Sequence, residues 1–148
     1  MSYLIGIILA LAICISALLI GLSRERAFYP TVLIVIASYY VLFAVMGGSQ
    51  RALLAEGLVM CVFVAIAVVG FNTSLWLVVA GLAAHGVFDA YHASLHVTSS
   101  VPAWWPAFCL TFDVTAAVFL ALLLKRKGLG TLHHIARSPK PPLGGASQ

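Results

Sequence analysis

The stretch that decides the fold is HGVFDAYHASLH, running from His85 to His96. It holds three of the chain's five histidines, His85, His92 and His96, and one of its four acids, Asp89. The spacings of four, three and four put these side chains on one face of a helix, because a helix turns ~100° per residue. The stretch lies within an apolar run, 75–97, long enough to cross a bilayer. An imidazole or carboxylate in such a run is costly, and its position is by default a candidate functional site. The sequence therefore predicts a membrane helix with one polar face, and it places the chemistry on that face.

Working outward, the composition agrees with that helix. Of 148 residues, 63% are hydrophobic and 8% charged, and the mean hydropathy is +1.10. A soluble domain carries about a quarter of its residues as charges. These values predict an all-α integral membrane protein. The net charge of +4 carries no nucleic-acid signal, since the basic residues flank apolar runs, where they set topology and meet anionic headgroups. Cys14, Cys61 and Cys109 stand alone inside apolar runs and form no cysteine framework. No G-x-S-x-G, Walker or Gly-rich dinucleotide sequence occurs.

Five transmembrane helices are predicted, at about 4–22, 31–47, 52–70, 75–97 and 105–124. They make a domain of residues 1–127, followed by a flexible basic tail, 128–148, rich in Gly, Pro and Ser. The first run is read as a retained helix: no Lys or Arg precedes it, it is longer than a signal-peptide core, and Ser23-Arg24-Glu25-Arg26 follows as a stop. Pro30 and Pro106 open the second and fifth helices, and Ser74 is a candidate N-cap for the fourth. Arg24, Arg26, Lys125, Arg126, Lys127, Arg137 and Lys140 fall on one side of the membrane and only Arg51 on the other. The positive-inside rule then puts the N-terminus outside and the tail in the cytoplasm of a multi-pass protein of the plasma (inner) membrane. Besides membrane lipids, the expected partner is a second copy, through the small residues Gly6, Ala10, Ala17 and Gly21 on the first helix.

At ~1.5 Å per residue, depth follows from this topology. His96 lies at the outer interface, His92 and Glu56 about 6 Å deep, Asp89 and Asp113 about 12 Å, and His85 about 18 Å. Three helices thus contribute ionisable groups to the outer half of the bilayer. Cys109 precedes Asp113 by four residues and points the same way.

Imidazole and carboxylate on facing helices suggest a metal site, with His85, Asp89, His92, His96 and Asp113 as the candidate ligands and Cys109 as a further one. The stripe spans about 16 Å, too long for one ion. Either two metals bind, or a subset such as Asp89, His92, His96 and Asp113 ligates while His85 supports it. The donors suit Zn first, with Fe, Mn or Cu as alternatives. Glu56 is the candidate acid/base of a metal-dependent hydrolase or oxidoreductase acting on a lipid-like substrate. The same residues also fit a proton- or metal-ion-conducting path, or a hydrogen-bonded polar core that only joins helices. Tyr39 and Tyr40 are the nearest candidates to extend a path, or else packing aromatics. Ser38 reads as an interhelical hydrogen bond, and Arg51 as an interfacial anchor near Glu56.

Two resemblances accompany these residues. The segment from Val101 to Cys109, VPAWWPAFC, with Asp113 and with Arg24 to Pro30, RERAFYP, resembles a family of small uncharacterised bacterial polytopic membrane proteins. That resemblance covers nearly the whole chain and implies no activity. His92-x-x-x-His96, with acids on other helices, is similar to the zinc site of the alkaline ceramidase and progestin-receptor-like membrane hydrolases. Those proteins have seven spans and further ligands on early helices. The resemblance implies a zinc-dependent membrane hydrolase.

Overall fold

The computed structural model describes residues 1–95 and 101–137, and among them the chain is entirely helical, with no strand. The helices are α1 (Ser2–Leu19), α2 (Phe28–Met46), α3 (Gln50–Asn72), α4 (Leu75–Leu95) and α5 (Trp105–Arg137), with a short 3-10 turn, Leu22–Arg24, after α1. Four stretches, α1, α2, α3 and Trp105–Arg126 of α5, are long and apolar enough to cross a membrane. The polar face belongs to α4, which is not in that set when the described residues alone are considered.

Local chemistry sets the helix ends. Pro30 sits in the first turn of α2, where its missing N–H removes no helical bond. The Ser49 hydroxyl accepts the N–H of Ala52 at 3.2 Å and caps α3. The Ser74 hydroxyl accepts the N–H of Trp76 at 3.3 Å at the start of α4. At the C-terminal end of α3, the Arg26 guanidinium donates to the carbonyls of Phe71 and Thr73, placing a cation at the negative end of the helix. Helix α5 continues to Arg137, past residue 124, where the apolar run ends. Gly128 and Gly130 weaken a helix without breaking it.

α4 packs against α2, α3 and α5, while α1 lies at the edge against α5. The core holds Leu33 of α2, Ala67 of α3, Val78 and Leu82 of α4, and Ala116 and Leu120 of α5. Gly6, Ala10, Cys14 and Ala17 form the buried stripe of α1. A Cβ on Gly6 would collide with the Thr111 hydroxyl and the Phe108 carbonyl, so this small face packs on α5 of the same chain. Of Gly6, Ala10, Ala17 and Gly21, the small residues expected at a seam between copies, Gly6 meets α5 of its own chain, while Gly21 has open space around it.

Candidate metal centre

The stripe Val78, Leu82, His85, Asp89 and His92 recurs every three or four residues along α4 and is buried throughout. Its apolar lower part joins the core. Its upper part carries the ionisable groups: His85 is 1% exposed and Asp89 0%. From α5, Asp113, also 0% exposed, reaches the same place. Gly86 permits that reach, since a Cβ there would stand 3.3 Å from the Leu110 carbonyl and 3.5 Å from the Asp113 side chain.

His85 Nδ1 is hydrogen-bonded to Asp113 Oδ2 at 2.6 Å and lies 3.5 Å from Asp89 Oδ2. The Tyr40 hydroxyl of α2 donates to Asp89 Oδ1 at 2.6 Å. One donor atom from each of His85, Asp89 and Asp113 lies within 4.8 Å of the others, so this buried trio could hold a metal ion. Three of its atoms, His85 Nε2, Asp89 Oδ2 and Asp113 Oδ1, are buried with no hydrogen-bond partner among the described residues. Such orphaned polar atoms are expensive unless something satisfies them.

A second pair sits on the same face. His92 Nε2 is hydrogen-bonded to Glu56 Oε1 of α3 at 2.8 Å, and both residues are buried. Glu56 Oε2 has no partner among the described residues. Tyr40 stands beside both groups, its ring 4.3 Å from that of His92 and 6.2 Å from that of His85. Phe63 meets His85 edge-on at 4.7 Å, and Phe88 packs against Tyr40 at 5.5 Å and His92 at 5.5 Å. These aromatic walls wrap the imidazoles in apolar surface and lower the local dielectric.

The spacing allows either two metals along the stripe or one held by Asp89, His92, His96 and Asp113 with His85 in support. The structure instead groups His85 with Asp89 and Asp113, and turns His92 to Glu56. His96 lies outside the described residues. Cys109 is buried one turn before Asp113 and is not part of the trio. Glu56 pairs with His92 and not with Arg51, which is exposed. Ser38 bonds the Val35 carbonyl of its own helix at 2.7 Å rather than another helix. Tyr40, weighed as a packing aromatic, belongs to the site, whereas Tyr39 is exposed and stacks edge-on against Trp105 at 5.0 Å. The signal that separates them is the buried stripe of α2: Leu33, Ala37, Tyr40 and Ala44 follow a four, three, four spacing that Tyr39 does not share. Phe63, Phe88 and Gly86 carry no such signal, being ordinary residues of apolar runs.

No protein-family model, no curated protein and no solved structure matches this chain.

Proposed function

We propose that the chain is a five-span protein of the bacterial plasma membrane, N-terminus outside, that binds one divalent metal through His85, Asp89 and Asp113. The observation that carries this reading is the charge and valence of the trio. Two carboxylates face one imidazole in surroundings 0–1% exposed. With the imidazole neutral and both carboxylates ionised the trio carries two negative charges, which a divalent cation cancels inside a low-dielectric bundle. The cation would also engage donors that now lack partners. One imidazole with two carboxylates suits Zn, Fe or Mn.

We further propose that the site serves a metal-dependent enzyme, a hydrolase or oxidoreductase acting on a lipid-like substrate. A bound metal would supply Lewis-acid polarisation or an activated water. The protein's own groups have separate tasks. Tyr40 orients Asp89 through its hydroxyl. The Glu56–His92 pair is joined by a hydrogen bond between Oε1 and Nε2, and Oε2 remains as a further acceptor, the arrangement an acid/base group requires. Phe63 and Phe88 exclude water from the imidazoles.

A second reading, a proton- or ion-coupled carrier, draws on the row of polar groups Tyr40, Asp89, His85 and Asp113, in which the Tyr40–Asp89 and His85–Asp113 hydrogen bonds are separated by a 3.5 Å contact between Asp89 and His85. Titration of Zn(II) into chelator-treated protein in nanodiscs tests the first proposal, which expects one ion per chain. Absence of saturable binding by Zn(II), Fe(II) and Mn(II) would overturn it. An enzyme keeps turning over in detergent, whereas a carrier acts only across a sealed membrane.

A further inference from the structure

Away from the polar face, α1, α2 and α5 leave a groove of about 640 Å³ between them. Its walls are apolar: Leu9 and Ile13 from α1, Val32 and Ile36 from α2, Phe108 and Phe112 from α5. We propose that this groove binds one acyl chain of a phospholipid from the outer leaflet. The inference rests on the membrane orientation proposed above and is independent of metal binding.

The groove has a direction. At one end Met1, Ser2, Tyr39, Trp104 and Trp105 line it, and at the other Ile13 and Phe28. Tryptophan and tyrosine favour the headgroup level, so the first end matches the membrane surface. Trp105 lines this end with an indole whose buried N–H has no partner among the described residues. At the other end the Thr31 hydroxyl is already bonded to the Ala27 carbonyl at 2.9 Å, so it adds no free polar group. The lining of α1 from Met1 to Ile13 is roughly 18 Å long at 1.5 Å per residue. Half of a ~30 Å hydrocarbon core is about 15 Å, so the groove spans one leaflet.

The edges of the groove are open to the side. Ile5, Leu9 and Val35 are 56%, 42% and 47% exposed. A groove left unfilled forfeits dispersion contacts along three helices. In a bilayer the species present at every moment to make those contacts is an acyl chain. Phe112 and Cys109 in the wall are nearly covered, and Cys109 lies one turn from Asp113 on α5. A bound tail therefore runs along the wall that separates it from the buried acids.

The test is photolabelling of the full chain in vesicles of phosphatidylcholine and phosphatidylglycerol, with a phosphatidylcholine carrying a diazirine along one acyl chain. Labels mapped by mass spectrometry should favour Val32, Val35 and Phe112 several-fold over Leu58, Val62 and Val118. That order inverts simple exposure, because Phe112 is 9% exposed and Leu58 71%. Val32→Trp, which fills the groove, should abolish labelling of Phe112 and leave labelling of Leu58 and the metal content unchanged. Labelling in proportion to exposure would overturn the proposal. So would a disulfide between chains carrying Leu9→Cys and Val35→Cys with no groove labelling, since the occupant would then be a second copy. If Val32→Trp does not fold, the wild-type pattern alone decides. Groove labelling without bound metal would refute only the metal site, and bound metal with labelling by exposure only the groove.

Discussion

The Tyr40 hydroxyl, on α2, donates to Asp89 Oδ1, on α4, at 2.6 Å, in a site where neither residue is more than 2% exposed. This bond fixes one oxygen of Asp89 and leaves Oδ2 for His85 and an ion. Tyr40→Phe should weaken metal binding about 10–100-fold, the usual effect of losing a partner that orients a ligand. It should lower stability by about 1 kcal/mol, as for other hydrogen bonds within membrane bundles. Metal titration and thermal unfolding of the variant in nanodiscs check both. An unchanged affinity would remove Tyr40 from the site.

His92→Gln separates the observed grouping from the one that spacing alone suggests. Because His92 pairs with Glu56 and stands apart from the trio, the variant should retain one metal ion per chain. Loss of metal from His92→Gln, with retention in His85→Gln, would restore the spacing-based grouping.

Gly86→Val tests how Asp113 arrives. The added side chain must displace α5 from α4, because the Leu110 carbonyl lies 3.3 Å from the position of its Cβ. Overpacking of this kind costs typically 1–3 kcal/mol. The variant should lose metal affinity along with stability. By comparison Gly57→Ala, inside α3 at a position with open space around it, should leave metal affinity unchanged and raise stability slightly.

Much of this arrangement is legible in the sequence, and the limits are physical. The helix count follows from apolar runs punctuated by Pro30, Ser49, Ser74 and Pro106, and only α5 overruns, because no proline occurs between Pro106 and Pro139. Depth bookkeeping put Glu56 level with His92 and Asp113 level with Asp89, and those residues do share neighbourhoods. Depth gives no azimuth, however. Which of His85 and His92 faces Asp113 depends on how α5 is rotated and how near it comes, and that is set by Gly86, which looks like any small residue of an apolar run. In the same way, the small stripe of α1 announces a close contact without naming the partner, and α5 takes it.

Topology is open to direct measurement. A reporter fused after Gln148 should read as cytoplasmic, and reporters at Gly48 and at Ser99 as periplasmic, given seven basic residues on one side and one on the other. The inverse pattern would place the site in the cytoplasmic half of the bilayer.

The most direct measurement is the metal content of protein purified in mild detergent, wild type beside His85→Ala, Asp89→Ala and Asp113→Ala, from pH 8 downward. The account predicts one ion per wild-type chain near neutral pH. It predicts release on acidification, since protons compete for ligands that must be deprotonated to bind. It also predicts loss of stoichiometric metal in each variant, since each removes one of three donors. Equal metal content in the wild type and all three variants, or none in any of them after reloading, would contradict it.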